Sequence, residues 1–294
     1  MSVYDIVTER IIENLKAGVV PWKRGWAVEF PRNFITKQPY RGINVILTSM
    51  AGYKSPDWLT FKQAKSIGLS IKKGEKANII VFFADLKDKE KMQVNTEDEI
   101  DSLKKLTPIE LKWKASSKKM LRYYQVYNLE QTDFKFPKGR PKKITMPIAC
   151  EKIIEGWLNK PEIIVTGSEA SYSIIKDTIK IPSISKFTNY EEYYSALYHE
   201  AIHSTGHSKR LNRFELKSSS MFGTELYSKE ELVAEIGSSF LCDIAGISSS
   251  VIDNQSAYID SWLKTLDNDR TLVFKAAAQA QLAVDYILEH QVRR

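Results

Sequence analysis

Two histidines in the C-terminal half have a spacing typical of a metal site. They open and close the run His199-Glu200-Ala201-Ile202-His203. In a helix this spacing puts both imidazoles on one face, one turn apart, which suits two ligands of a tetrahedral zinc ion. Glu200 lies about 100° round the helix from His199, where its carboxylate can take a proton from a metal-activated water. The run therefore predicts a zinc-peptidase centre with Glu200 as general base.

A catalytic zinc site needs a third protein ligand and one open position. The candidates are Glu230, Glu231, Glu235 and His207. Glu231 and Glu235 share one helical face, so we expect Glu231 to bind the metal and Glu235 to orient a ligating histidine through its free N–H. Glu230 points about 100° away and is expected in solvent. His207 follows Gly206 just past the helix, where the sequence does not fix its direction.

Other residues near this run bear on the kind of site. A metzincin would carry its third histidine at position 209, which is Lys209, so that subclass is excluded. Tyr227 is a candidate for stabilising an oxyanion. The basic run Lys209-Arg210-Leu211-Asn212-Arg213 is either a solvated loop or a contact for an acidic partner. The rival interpretation is a metal that only stabilises the fold. A purely structural site does not need an acidic residue that is not a ligand, so Glu200 argues against this interpretation.

The elements that position these residues can be predicted from periodicity and capping. A helix over 190–205 is expected, with Thr188 as its N-cap and Glu191 completing a capping box. It is expected to end at Gly206. The preceding hairpin, Ser173–Ile175 and Thr178–Ile181, could supply an edge strand for an extended peptide. The remaining elements expected in this half are helices at Cys150–Leu158, Lys229–Leu241 and Leu272–Leu288 and a strand at Ile163–Val165.

The N-terminal half is predicted to be α+β with a small sheet. A helix over 3–17 has apolar residues close to a 3.6 period and ends at Gly18. Residues 85–119 are a charged stretch that we expect to be a surface insertion, partly helical around Glu97–Leu106. Further expected elements are helices at Ile43–Met50 and Leu59–Ile67 and strands at Ile79–Ala84 and Tyr123–Leu129.

A proline- and glycine-containing basic run at 136–143 predicts an exposed linker between two domains. We expect a small basic domain over 1–136, a linker over 137–145 and a zincin-like metallopeptidase domain over 146–294. The fold class expected is α+β, and a chain of 294 residues is long enough for each domain to bury its own core.

Composition predicts a globular protein of the cytoplasm. Hydrophobic residues make up 43% and charged residues 27% of the chain. No apolar run approaches the roughly 20 residues that a membrane span needs, and the charged N-terminus lacks the pattern of a signal peptide. Cys150 and Cys242 are too few for a disulfide framework and are expected to be buried.

Charge is unevenly distributed along the chain. Residues 1–145 hold 28 Lys and Arg against 16 Asp and Glu, whereas residues 146–294 hold 15 against 20. The basic half also interleaves cations with aromatic rings, which is typical of proteins that hold single-stranded nucleic acid without reading its sequence. The alternatives are that the tryptophans are core residues and that the lysines only solubilise the surface. The candidate DNA contacts are Trp22, Lys23, Arg24, Trp26, Arg32, Tyr40, Arg41, Asn44, Lys62, Lys73 and Lys76.

Several motifs occur in the order found in one protein family. The sequence resembles the ArdC-type antirestriction proteins over nearly its whole length, except for the charged segment 85–119. The motifs that carry this resemblance are Pro21-Trp22, Pro39-Tyr40-Arg41-Gly42-Ile43-Asn44, Trp58-Leu59-Thr60-Phe61-Lys62-Gln63-Ala64, Lys73-Gly74-Glu75-Lys76, Val126-Tyr127-Asn128-Leu129-Glu130-Gln131-Thr132, Tyr193-Tyr194-Ser195 through His207, and Glu230-Glu231-Leu232-Val233-Ala234-Glu235-Ile236-Gly237.

The resemblance implies a plasmid- or mobile-element-associated protein that binds single-stranded DNA and protects incoming DNA from host restriction. It also implies a gluzincin-like fold in the second half, with His199, His203 and Glu231 binding zinc or another divalent ion and Glu200 as acid and base. A protein of the host restriction or defence machinery is the expected peptidase substrate. Two rivals stay open: a DNA-binding shield whose metal domain is structural, and a general intracellular peptidase whose basic half binds a protein partner.

Overall fold

The computed structural model describes residues 2–23, 30–85, 119–136, 147–214, 225–247 and 255–289. The predicted linker 137–145 and nearly all of the predicted insertion 85–119 lie outside these ranges. No helix within them is long and apolar enough to cross a membrane.

The N-terminal half packs helices against a four-stranded sheet of order β1-β2-β4-β3. Strands β3 and β4 form a long antiparallel pair, from Asn78 opposite Val126 to Asp85 opposite Lys119. A short 3-10 turn, Leu129–Gln131, follows β4. The elements are α1 (Val3–Lys16), β1 (Arg32–Asn33), α2 (Ile43–Ser49), β2 (Asp57–Leu59), α3 (Phe61–Ser66), β3 (Asn78–Asp85) and β4 (Lys119–Asn128).

In the C-terminal half, the described residues form a three-stranded sheet and five helices. The sheet has the order β5-β7-β6, which leaves β6 at an edge. A 3-10 turn, Ile184–Lys186, precedes the helix that carries the two histidines. The elements are α4 (Pro147–Glu155), β5 (Glu162–Val165), β6 (Ser171–Ser173), β7 (Thr178–Ile181), α5 (Tyr190–Thr205), α6 (Glu225–Ala245), α7 (Gln255–Asn268) and α8 (Leu272–Leu288).

Most predicted elements are present, with shifted ends. The predicted helix Leu59–Ile67 begins two residues late because Leu59 belongs to β2 and Thr60 caps α3 in a box with Gln63. The N-cap of α5 is Asn189, one residue later than predicted, and the predicted capping box of Thr188 and Glu191 is not formed. Asn189 accepts from the Glu192 backbone N–H, and the Glu192 carboxylate accepts from the Thr188 N–H at 2.8 Å. Strands β1 and β2 and helix α7 are absent from the sequence prediction.

The architecture is α+β with two domains, as predicted, but the two halves share one hydrophobic core. Its buried residues include Ile11 of α1 and Ile46 of α2 together with Ile236 of α6 and Val284 of α8. Polar contacts also cross between the halves. The Thr8 hydroxyl donates to the Arg270 carbonyl at 2.7 Å, and the Gly42 N–H donates to the Gln281 side chain at 3.1 Å. The halves are therefore joined by packing as well as by the chain between them.

Both cysteines are buried and free, as predicted. Cys150 lies in α4 and Cys242 in α6, and neither side chain is accessible to solvent. Burial raises the pKa of both thiols, because the charged thiolate is disfavoured away from water.

Helices α5 and α6 meet closely at Gly237. A Cβ added to Gly237 would lie 2.8 Å from Cδ1 of Ile202, whose side chain is fully buried in α5. This contact lies between the two histidines' helix and the helix that carries Glu231. A glycine here thus allows the two helices to approach far enough for those side chains to meet.

We expect Gly237→Ala to destabilise the protein by about 1–3 kcal/mol, because the added methyl overpacks the helix crossing. The cost of this clash outweighs the roughly 1 kcal/mol by which alanine is favoured over glycine inside a helix. Urea denaturation measures the change. In an Ile202→Ala background, which removes the clashing atoms, Gly237→Ala should no longer destabilise. An equal loss in both backgrounds would show that Ile202 does not limit the approach.

Candidate metal centre

Helix α5 presents its two histidines beside a buried apolar face. Tyr194, Leu197, Tyr198, Ala201 and Ile202 are all buried, as their spacing predicts. His199 and His203 occupy the neighbouring face, with imidazole centroids 4.7 Å apart. Their side chains are only 12% and 13% exposed. The packing of α5 therefore fixes both rings in largely buried positions.

Helix α6 brings the Glu231 carboxylate against both imidazoles. One carboxylate oxygen lies 3.4 Å from Nε2 of His199 and the other lies 3.2 Å from Nε2 of His203. The two Nε2 atoms are 3.0 Å apart. Among the described residues, these three side chains are the group of donors that could hold one metal ion. The sequence-predicted ligand set thus converges, and its role in binding metal stays a prediction.

The two Nε2 atoms and the two oxygens of Glu231 have the spacing of a divalent-ion site. Ligand atoms about 2.0–2.1 Å from a tetrahedral zinc ion lie about 3.3 Å apart. Neighbouring ligands of an octahedral ion at a similar distance lie about 3 Å apart. The separations of 3.0, 3.2 and 3.4 Å fit both geometries. The cluster therefore fits a divalent ion, without selecting zinc over other metals.

The protonation of the cluster reflects its burial and its opposite charges. Burial opposes ionisation of Glu231, but the two facing imidazoles outweigh it and lower the pKa of the carboxyl below its ordinary range. Burial also disfavours a charged His203, yet Glu230 and Glu231 raise its pKa well above the ordinary histidine value. The carboxylates of Glu230 and Glu231 therefore favour a positive charge at His203, which lies between them.

A second layer of charged residues lies behind the two histidines. Glu230 lies 3.5 Å from Nδ1 of His203 and is held by Arg213 at 2.7 Å, so the prediction that Glu230 is solvated was wrong. Glu235 lies 3.7 Å from Nδ1 of His199, on the side where we expected it. That nitrogen is buried and has no hydrogen-bond partner among the described residues.

Comparisons with known proteins agree with this architecture. A family model for the N-terminal domain of the anti-restriction factor ArdC matches residues 1–127, and a zincin-like metallopeptidase model matches residues 151–279. The Mn(II)-bound crystal structure of the antirestriction protein ArdC from plasmid R388 superposes with a TM-score of 0.75 and 31% identity, covering 99% of this chain and 98% of that one. The chain belongs to the ArdC antirestriction protein family.

Other relatives extend the comparison. The metal-free ArdC structure superposes with a TM-score of 0.73 at 30% identity, covering 100% of this chain and 99% of that one. Two DNA primases TraC of Escherichia coli are 32% and 31% identical over 99% of this chain, which spans only 20% and 27% of their lengths. An uncharacterized protein of Sinorhizobium fredii, y4eC, is 29% identical over 99% of this chain and 92% of its own length.

In this ArdC-family chain, three of the predicted DNA contacts lie in the core. Trp22 is 2% exposed and packs edge-on against Trp262 at 5.2 Å. Tyr40 is also buried, and Asn44 exchanges hydrogen bonds with the Val81 backbone at 2.8 and 2.9 Å. A buried side chain has no free face for a base, so for these three the core alternative fits the ArdC-like fold.

The other predicted DNA contacts have different surroundings. Arg32 pairs with Asp57 at 2.8 Å, and Arg41 pairs with Asp285 of α8. Lys23 is turned inward, 3.1 Å from Glu235 behind the metal centre. Lys62, Lys73 and Lys76 are exposed. Arg24, Trp26 and the side chain of Tyr227 lie outside the part of the chain that the structure describes.

The two arginines of the basic run after α5 are turned inward, whereas Lys209 of the same run is 73% exposed. Arg210 and Arg213 are 3% and 7% exposed at their side chains. Arg210 pairs with Asp177 at the turn between β6 and β7, and it donates to the Ser204 carbonyl at 2.7 Å. His207 lies 3.9 Å from the same Asp177 carboxylate, outside the His199, His203 and Glu231 cluster. These arginines tie the hairpin and α6 to the end of α5.

Three charged residues near the centre have positions that the sequence does not predict: Lys23, Arg213 and Glu230. Helical spacing places Glu230 away from Glu231 but does not reveal that His203 presents a second nitrogen to it. Arg213 and Lys23 reach the centre from a loop and from the other half of the chain. No local pattern could have identified either of them.

We expect Asp177→Asn to destabilise the protein by about 2–4 kcal/mol, because it leaves the Arg210 guanidinium buried without its carboxylate. Asparagine tolerates the positive φ of 49° at this turn, so the change removes mainly the charge. Thermal or urea unfolding measures the difference, and exposed Glu169→Gln is the control.

The pH dependence of this difference has a defined sign. Burial opposes ionisation of Asp177, but hydrogen bonds from Arg210 and Tyr172 outweigh it and lower the pKa of the carboxyl. Its stabilisation is therefore present above the ordinary aspartate pKa of about 3.9 and is lost as the pH falls below that value. The variant and the wild type should converge there, and a constant difference would contradict the ion pair.

Proposed function

We propose that the chain is an antirestriction protein that binds single-stranded DNA through its N-terminal half and carries a divalent-metal peptidase centre in its C-terminal half. The observation that carries the second part is the convergence of His199, His203 and Glu231 beside Glu200. The related ArdC structure with Mn(II) bound supports a divalent ion in this fold. Zinc is our choice of metal, because two imidazoles on an HExxH helix and one carboxylate from a second helix suit it.

The peptidase part of the proposal assigns a role to each side chain. His199, His203 and Glu231 would hold the ion, and a bound divalent ion supplies Lewis-acid activation of a water molecule and a peptide carbonyl. Glu200 would accept the proton of the attacking water and pass it to the leaving amine. Glu200 is partly exposed and carries no predicted ligand role, which suits a proton carrier.

The edge strand β6 offers a place for a peptide. β6 pairs with β7 along one side, and no described strand pairs with its other side. It also packs beside α5, the helix of the two histidines. An extended peptide that added to this edge by main-chain hydrogen bonds would run near the proposed centre. A host restriction or defence protein is the substrate class that we propose.

The DNA-binding part of the proposal rests on charge and on exposed rings. Residues 1–145 carry the excess of 12 positive charges, counted as 28 Lys and Arg against 16 Asp and Glu. The buried Trp22 and Tyr40 are replaced as stacking candidates by Phe61 and Tyr123, whose side chains are 56% and 50% exposed. Phe61 adjoins the exposed Lys62 on α3. Rings beside cations suit single strands, whose bases are free to stack.

Two substitutions test the peptidase centre. Glu231→Gln should lose bound zinc or manganese, measured as metal content after dialysis, because the ligand charge is removed. Glu200→Gln should keep the metal and lower cleavage of an unfolded protein substrate by about 10²-fold or more, as expected for a general base. Cleavage at the wild-type rate would remove Glu200 from the mechanism. Unaltered antirestriction in Glu200→Gln would show that protection does not depend on proteolysis.

A salt titration tests the DNA part. Binding to single-stranded oligonucleotides should weaken steeply with salt and exceed binding to the matching duplex. The triple change Lys62→Gln, Lys73→Gln and Lys76→Gln should reduce the slope of log affinity against log salt by about 2, at about 0.7 per phosphate contact. Three exposed lysines of the other half, Lys176, Lys180 and Lys264, provide the matched control. A shallow slope, or equal loss in the control, would contradict this surface.

A further inference from the structure

We propose that Lys23, from the N-terminal half, is a positioning residue of the metal centre in the C-terminal half. It would hold the Glu235 carboxylate in place behind His199, so that the centre is complete only when both halves are present. This inference rests on the proposed function of His199, His203 and Glu231 as metal ligands.

Glu235 lies between Lys23 and the histidine, in an ion pair with the first and close to the second. The Lys23 ammonium lies 3.1 Å from one oxygen of Glu235, and the two side chains are 11% and 4% exposed. The other Glu235 oxygen lies 3.7 Å from Nδ1 of His199. Nε2 of the same imidazole faces Glu231 and His203. Glu235 therefore sits between a cation of one half and a predicted ligand of the other.

The segment that carries Lys23 is anchored on α6. The Ser239 hydroxyl donates to the Trp22 carbonyl, and Ser239 lies one turn after Glu235 on the same face of the helix. The Trp22 ring is buried against Trp262 of α7. Two neighbouring contacts thus fix the backbone next to Lys23. Its ammonium is held at the centre, unlike that of a surface lysine whose long side chain moves freely.

A parallel arrangement behind the second histidine indicates what this contact does. His203 faces Glu230, which is held by Arg213, just as His199 faces Glu235, which is held by Lys23. Each of the two histidines therefore has a carboxylate near its outer nitrogen and a cation beside that carboxylate. Carboxylates in this position orient a ligating imidazole, and removing one weakens metal binding by about 10–100-fold.

Charge gives a second reason for Lys23. Glu235 is nearly inaccessible to water, and an ionised carboxylate is stable in such a place only with a partner. Arg213 is already engaged with Glu230, so it does not serve Glu235 as well. Lys23 supplies the missing positive charge from a part of the sequence more than two hundred residues away. The N-terminal half would then have a task in the metal centre besides the proposed DNA binding.

The test is a double-mutant cycle on the full chain, read out by metal affinity. Metal-free protein is titrated with Co²⁺, whose visible absorption reports both the affinity and the ligand geometry. Lys23→Met should weaken Co²⁺ binding about tenfold and alter the spectrum. In a Glu235→Gln background the same substitution should change neither, because Lys23 acts through Glu235. Glu9→Gln, which removes the Glu9–Arg270 ion pair between the halves at 2.9 Å, is the matched control and should bind like the wild type.

Each outcome bears on the proposal. Wild-type affinity in Lys23→Met, an equal loss in both backgrounds, or an equal loss in Glu9→Gln would overturn it. If Lys23→Met does not fold, the double variant is compared with Glu235→Gln alone, where equal affinity supports the proposal and lower affinity overturns it. Equal Co²⁺ binding by the wild type and Glu231→Gln would instead refute the metal centre itself, so the two failures are distinguishable.

Discussion

Buried carboxylates must have partners, and this constraint organises the centre of the molecule. Glu230, Glu231 and Glu235 all lie in α6 with little access to water. An ionised carboxylate in such a place is tolerated when opposite charge and hydrogen bonds surround it. The two histidines face Glu231, Arg213 faces Glu230 and Lys23 faces Glu235. Three separate parts of the chain are thereby drawn to one helix.

The same constraint explains how the loop after α5 is built. Arg210 and Arg213 are buried because each satisfies a carboxylate, at the hairpin turn and on α6 respectively. Each guanidinium also donates to a backbone carbonyl near the end of α5. The loop, the hairpin and the two helices therefore form one connected polar layer. The close contact between Gly237 and Ile202 lets the same two helices approach each other.

One shared hydrophobic core packs the two domains of this ArdC-family chain against each other. Helices α1 and α2 pack with α6, α7 and α8 around one set of buried residues. The Trp22 ring lies in this packing instead of on a DNA-binding surface. The basic residues that stay exposed, such as Lys62, lie elsewhere on the N-terminal half. A DNA site on this half and a metal centre on the other would thus belong to one mechanically continuous body.

The sequence by itself determined the local features of the candidate site. A four-residue spacing in a helix puts His199 and His203 on one face, and the paired glutamates of a second helix place Glu231 and Glu235 on another. Periodicity also located most helices and the β6–β7 hairpin, while capping was misplaced by one residue at α5, because Thr188 and Asn189 can both act as N-caps.

Only the tertiary structure decided which charges meet. It pairs Arg213 with Glu230 and brings Lys23 to Glu235. It also decides which uncharged side chains are buried, namely Trp22, Tyr40 and Asn44. The physical reason is that helical spacing depends on neighbours three or four residues away, whereas an ion pair between positions 23 and 235 depends on how the whole chain packs. The predicted ligands could be identified from the sequence; the cations that hold their surroundings in place could not.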